Sequence, residues 1–157
     1  MTLSDLLTPK AVTAKLEART KRDALVELVD LLEDAHELRS QGEILDRVLR
    51  REGMMSTGIG NGVAIPHGKA KAADRMLAAC GISHQGIDFE SADGEPAYIF
   101  ILLVSPETVG ASHVKVLANI SRVLKEESVR KMLREAAGPT ELLAALKTAE
   151  SQYLTTA

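Results

Sequence analysis

Ala97-Tyr98-Ile99-Phe100-Ile101-Leu102-Leu103-Val104 is the longest apolar run in the 157-residue chain, and Ser105-Pro106 closes it. Its length and its β-branched and aromatic content predict a strand. Nearly every residue is apolar, so neither alternating face can meet water and other elements have to cover both.

The helices that do this are legible on either side. Upstream, Leu25, Leu28, Val29 and Leu32 recur at helical spacing behind Thr20, a capping hydroxyl, which predicts a helix from Lys21 to Ala35. His36 at its end would interact with the helix dipole. Ser40-Gln41-Gly42-Glu43 has the form of a capping box, and Ile44, Leu45, Val48 and Leu49 make the apolar stripe of a second helix. That helix should run to about Glu52 and stop at Gly53, with Arg50 and Arg51 in its last turn. Downstream, Ser105 to Gly110 reads as a loop and Ser112 as the N-cap of a third helix. His113 then stands in the first turn, with Leu117, Ile120 and Leu124 on roughly the same face. Ser128 to Ala136 and Thr140 to Ala149 make two more helices either side of Gly138-Pro139, and the tail from Ser151 to Ala157 should fray. A short strand is expected over Val12 to Leu16 and a longer one over Met76 to Ile82. A turn at His84-Gln85-Gly86, an edge strand at Ile87 to Phe89 and a turn at Asp93-Gly94 should follow, with His84 a surface residue.

Length predicts one domain over residues 1–157 with a single core. The content, 45% hydrophobic and 26% charged, is that of a soluble globular protein, and no window is long and apolar enough to span a bilayer. The start, Met1 to Leu7, has neither the basic flank nor the apolar core of a signal peptide. The single Cys80 cannot form an internal disulfide, which fits a reduced, cytoplasmic protein. A formal charge of −3 argues against a nucleic-acid partner.

The chemistry gathers between Arg51 and Lys69, in Arg51-Glu52-Gly53-Met54-Met55-Ser56-Thr57-Gly58-Ile59-Gly60-Asn61-Gly62-Val63-Ala64-Ile65-Pro66-His67-Gly68-Lys69. Alternating glycines form a loop that can approach its neighbours closely, and Pro66 stiffens the segment that delivers His67 at a strand's end. Met54, Met55 and Ile59 could belong to a docking surface, but half-buried core is the expectation for each. The spacing G-x-G-x-G ahead of a strand excludes a dinucleotide fingerprint, and Ala70 after Gly68-Lys69 excludes a P-loop. There is no H-E-x-x-H, no C-x-x-C and no G-x-S-x-G. What is left, two histidines, an arginine and a backbone-rich loop, suits phosphoryl transfer through histidine. A neutral imidazole attacks phosphorus near pH 7 without a base. Arg51, Thr57, helix-end amides and His113 would supply donors and positive charge to the phosphoryl oxygens.

The run Ser56-Thr57-Gly58-Ile59-Gly60-Asn61-Gly62-Val63-Ala64-Ile65-Pro66-His67-Gly68-Lys69, with Arg51-Glu52 before it, resembles the active segment of the enzyme IIA domains of the bacterial phosphotransferase system, fructose/mannitol (type 2) class. Its Ser-Thr-Gly-Ile-Gly-Asn-Gly portion is most similar to the nitrogen-related regulatory branch, and the similarity extends from about Leu3 to Ala149. The resemblance implies a single α/β domain with a mixed sheet of about five strands and helices on both faces. It implies that His67 accepts the phosphoryl group from a small phosphohistidine carrier related to HPr. It further implies that His113 and Arg51 stabilise the phosphate, and that Thr57 and Gly60 play supporting parts. No metal or organic cofactor is implied.

Two functions stay open. One is a regulatory phosphoprotein whose state alters its binding to targets such as potassium-transport components or sensor kinases. The other is a sugar-specific carrier that passes the group to an enzyme IIB domain during fructose or mannitol uptake. A chain without fused domains leans toward regulation, and neighbouring genes for a nitrogen sigma factor or for a sugar permease would separate the two. A non-phosphorylated binding module on the same fold is a third reading.

Overall fold

The apolar run is a strand, and it lies at the centre of the sheet. The structure, a computed structural model, describes residues 1–154. Strands β1 (Val12–Thr13), β2 (Gly58–Gly60), β3 (Val63–Ala64), β4 (His67–Lys69), β5 (Leu77–Ile87) and β6 (Ala97–Ser105) form one sheet in the order β1-β5-β6-β3-β2, with β4 also alongside β6. β5 runs antiparallel to β6, and β3 and β4 run parallel to it, so the sheet is mixed. β3 and β4 follow the same side of β6 in succession, divided at Ile65-Pro66.

Every residue of β6 except Tyr98 is buried. Ile99, Ile101 and Leu103 pack into one apolar cluster with helices α3 (Ala111–Leu124), α4 (Glu127–Glu135) and α5 (Pro139–Tyr153). Phe100, Leu102 and Val104 pack into a second with α1 (Lys21–Ala35) and α2 (Glu43–Met54). The period of two along the strand thus divides the core into two layers, and the predicted helices cover both.

Local differences have local causes. Thr20 Oγ1 accepts from Asp23 N at 3.2 Å, as the cap requires. His36 does not serve its own helix end, since its Nε2 lies 3.0 Å from the carbonyl oxygen of Ala78 in β5. The capping box at α2 does not close. Gly42 takes a left-handed φ of 90° as N-cap, and the Glu43 carboxylate accepts instead from Lys71 N and Ala72 N at 2.8 and 2.9 Å. α2 also continues through Gly53 to Met54. The expected glycine loop is a β-hairpin of β2 and β3, turned by Asn61 and Gly62 at φ 57° and 77°. Positive φ at both central residues is what a type I′ turn needs, and the Asn-Gly pair is its usual sequence. His84 to Gly86 is no turn either, because β5 runs on to Ile87 through a register irregularity after Ile82. Gly86, at φ 83°, lies against the Tyr98 ring where a Cβ would come within 2.8 Å. His84 is exposed, as expected, and its Nε2 lies 2.8 Å from Ala14 O. Gly110, not Ser112, caps α3. The fraying expected from Ser151 does not occur up to Tyr153, where α5 persists and Tyr153 and Leu154 pack on the core; residues 155–157 of that tail lie outside the described residues.

Leu102 is fully buried at the centre of β6. Leu102→Ala is expected to lower unfolding free energy by about 2–5 kcal/mol, read as a fall in urea midpoint with unchanged slope.

Candidate active site

His67 is the first residue of β4 and pairs with Leu103 near the C-terminal end of β6. The strand there is too short to orient a ring by itself, and a local bond does so. His67 Nδ1 lies 2.9 Å from the carbonyl oxygen of Ile65. A carbonyl only accepts, so Nδ1 carries the proton and the neutral ring keeps a bare Nε2. Gly68 follows because α2 lies on the strand at this point. A Cβ there would come within 3.3 Å of the backbone nitrogen and side chain of Val48. That close approach carries the last turn of α2, with Arg51, to the neighbourhood of His67.

His113 arrives from the other layer, in the first turn of α3. Its ring centroid is 5.3 Å from that of His67, with the planes at 62°. His113 is buried, and its Nδ1 lies 2.6 Å from the hydroxyl of Ser105, the last residue of β6. Both rings open onto a hollow of about 460 Å³ that is also lined by Arg47, Arg50, Arg51 and Lys69. Arg47 is paired with Glu107 at 3.2 Å and Arg50 with Asp46 at 3.1 Å. Arg51 and Lys69 line the same hollow and have no carboxylate partner among the described residues. Arg51 spends one N–H on Met55 O at 2.9 Å, and a guanidinium has further donors to offer. A larger hollow of about 560 Å³ beyond the end of α2 is lined by Lys21, Glu52, Met55 and Glu90 and contains no histidine.

Burial holds the His67 pKa below its ordinary value against the opposing effect of the Ile65 bond, and the Arg51 charge acts in the same direction as burial. Burial, with the charges of His67 and Lys69, pushes His113 down to about 4. Both rings therefore favour the neutral form at neutral pH, and Nε2 of His67 carries no proton.

The structure thus brings His67, His113 and Arg51 to one hollow. It does not bring Thr57 or Gly60 there. Thr57 is buried, its hydroxyl donating to Glu52 Oε2 at 2.6 Å and its N–H to Oε1 at 2.8 Å. Gly60, at φ 97°, lies against Asp93 in the hairpin. Glu52, with Lys21 Nζ at 3.0 Å from its carboxylate, is thus the buried post that anchors the loop after α2. Sequence reasoning missed that post, and it missed Ser105, because a serine or glutamate carries no signal of burial. Met54, Met55 and Ile59 are not half-buried core, being 80%, 73% and 47% exposed. The two methionines fall at the end of α2, beyond its buried stripe of Ile44 and Val48, and Ile59 points outward from edge strand β2 between buried glycines. Among the described residues no group of three or more His, Cys, Asp or Glu is arranged to hold a metal ion. No described helix is long and apolar enough to cross a membrane.

Known proteins share this fold. Residues 5–149 match the family described as phosphoenolpyruvate-dependent sugar phosphotransferase system, EIIA 2, and the chain belongs to that family. It is 39% identical over 136 residues to the nitrogen regulatory protein of Bradyrhizobium diazoefficiens, covering 85% of this chain and 87% of that one. It is 35% identical over 136 residues to the fructose-specific EIIABC component of the phosphotransferase system of Bacillus subtilis. That match covers 87% of this chain but only 21% of the larger protein. Among solved structures, nitrogen regulatory protein IIA-Ntr from Neisseria meningitidis superposes with a TM-score of 0.85 at 26% identity, covering 91% of this chain and 97% of that one.

The depressed His113 pKa has a consequence for stability. An unfolded chain takes up the proton near pH 6.5, whereas the folded ring resists it until about pH 4. The stability contributed by the neutral ring is whole above the unfolded value and is lost as pH falls through that window. The ring protons of His113 are expected to titrate with a midpoint near 4 by NMR, and the urea midpoint to fall less steeply between pH 6.5 and 4 in His113→Ala.

Proposed function

We propose that this chain is a regulatory phosphoryl carrier that accepts a phosphoryl group on His67 from a phosphohistidine of an HPr-like carrier protein. Its phosphorylation state then sets which proteins it binds, in nitrogen- or potassium-related regulation. The observation that carries the reading is the bond from His67 Nδ1 to Ile65 O, which leaves Nε2 bare in a hollow shared with the second imidazole and with unpaired cations. In the transfer, the Nε2 lone pair of His67 forms a bond to phosphorus as the carrier's N–P bond breaks, and that electron pair returns to the carrier's ring. His67 keeps its Nδ1 proton throughout. Arg51, Lys69 and His113 offset charge on the three equatorial oxygens, so positioning and electrostatics supply the catalysis.

The regulatory reading is supported by near full-length similarity to the Bradyrhizobium nitrogen regulatory protein and by the IIA-Ntr fold match. Similarity to the fructose-specific component supports a second reading, in which His67 passes the group to a cysteine of an enzyme IIB domain. The exposed Met54 beside the hollow and Met55 next to it offer an apolar rim on which a carrier could dock in either case.

Incubation with a phosphorylated HPr-type carrier is expected to give an acid-labile, base-stable phosphate on His67, located by mass spectrometry. His67→Ala should abolish it, and labelling that survives would end the assignment. His113→Ala should still accept the group, but roughly one to two decades more slowly, since a charge-assisted hydrogen bond is lost in the transition state. Arg51→Lys, which keeps the charge and loses the planar fork, should also slow transfer. Onward transfer to a purified enzyme IIB domain would favour the sugar reading over the regulatory one.

A further inference from the structure

We infer that Ser105 is a positioning residue for phosphoryl transfer, whose hydroxyl donates to Nδ1 of His113 and so holds that ring in the tautomer with its proton on Nε2. The inference rests on the reading of the site as a phosphoryl-transfer centre, and its structural half stands on geometry alone.

Ser105 is fully buried at the end of β6. Its backbone is fixed by pairing with Lys69 and by the bond from Ala70 N to Ser105 O at 2.9 Å. Among the described residues its hydroxyl has one hydrogen-bond partner, Nδ1 of His113 at 2.6 Å. Two arrangements fit that distance. If Nδ1 carried the proton, it would donate to the serine, and the serine's own proton would then be a buried donor with nothing to receive it. If the serine donates, Nδ1 accepts and only spare lone pairs on oxygen go unused. A buried donor left unmet costs more than an idle acceptor lone pair, so the second arrangement prevails. With Nδ1 occupied as acceptor, the one proton of the neutral ring sits on Nε2, the ring's other polar atom and the one left for the hollow.

The two imidazoles are thereby held in opposite tautomers by two different oxygens. The Ile65 carbonyl draws the proton of His67 to Nδ1 and exposes a bare nitrogen. The Ser105 hydroxyl drives the proton of His113 to Nε2 and exposes a donor. A pair of bare nitrogens would repel an incoming phosphoryl oxygen, and a pair of donors would leave no nucleophile. One of each is what transfer from nitrogen to nitrogen needs, and Ser105 decides the half that the His113 ring cannot settle for itself.

The test uses the full chain labelled with ¹⁵N-histidine, with His67→Ala serving to assign the rings. At neutral pH the unphosphorylated wild type is expected to show a pyrrole-type Nε2 and a pyridine-type Nδ1 at His113. In Ser105→Ala the two shifts should move toward a tautomer average while the backbone amide spectrum keeps its pattern. Transfer from a phosphorylated HPr-type carrier should slow about ten-fold in that variant. Ser105→Thr, which retains the hydroxyl, should restore both ring spectrum and rate. A wild-type ring protonated at Nδ1, an unchanged tautomer in Ser105→Ala, or an unchanged rate there would each overturn the assignment. If no carrier labels the wild type, the reading of function fails by itself, and the ring spectra still decide the tautomer.

Discussion

A strand that must be dry on both faces sets the constraint from which everything else in this fold follows. β6 supplies side chains alternately to two apolar layers, so helices have to cover both sides of the sheet, and its flanking strands must be held in register by backbone bonds. β3 and β4 lie parallel to it, and their C-terminal direction and that of β6 agree. At that end the chain leaves the sheet, and the carboxyl end of parallel strands is where open α/β sheets place their ligands. Leu103 is paired with His67, Ser105 with Lys69, and the chain leaving Ser105 returns eight residues later as His113. The two histidines, 46 positions apart in the chain, are brought together by one strand end.

Burial and charge act on the rings in the same direction here. Partial removal from water disfavours the imidazolium form at both rings, and the arginine and lysine around the hollow disfavour it further. Ordinarily a cluster of cations at a buried histidine would be a cost to the fold. Here the cations stand at the rim, where water still reaches them, and the rings inside stay neutral. The hollow is therefore positive without having an imidazolium at its base, a setting that favours an anion beside a neutral ring nitrogen.

Much of this was legible in the sequence. The boundaries of α1 and the double burial of β6 follow from apolar periodicity and a cap, because those features are set locally; His113 does enter in the first turn of α3, but behind Gly110 and not behind the expected Ser112 cap. The proximity of His67, His113 and Arg51 was expected from the resemblance, and no spacing rule would have given it alone. The errors share a cause. Asn61-Gly62 is a plain hairpin signal that went unread because the alternating glycines around it looked like a loop. Gly86 looked like a turn, yet its positive φ serves a bulge that brings the strand up to Tyr98. Glu43 fitted a capping box, but its carboxylate is taken by backbone amides at 71 and 72, a tertiary competitor that local pattern cannot show. Glu52 and Ser105 were passed over because their importance lies in what buries them.

The site draws its parts from both layers of the core, and this limits how it can work. Arg51 rides on α2, packed in one cluster, while His113 rides on α3, packed in the other. Each is referred to the sheet separately, α2 through the close approach at Gly68 and α3 through Ser105, while Arg47 of α2 pairs with Glu107 in the loop before α3. A phosphoryl group bound in the hollow would meet residues carried by both helices. The exposed Met54 and Val114 extend the same division onto the surface, one on each helix. The hollow itself is lined from both helices, by Met54 of α2 and His113 of α3, so a protein that covered it would meet the two layers on one face.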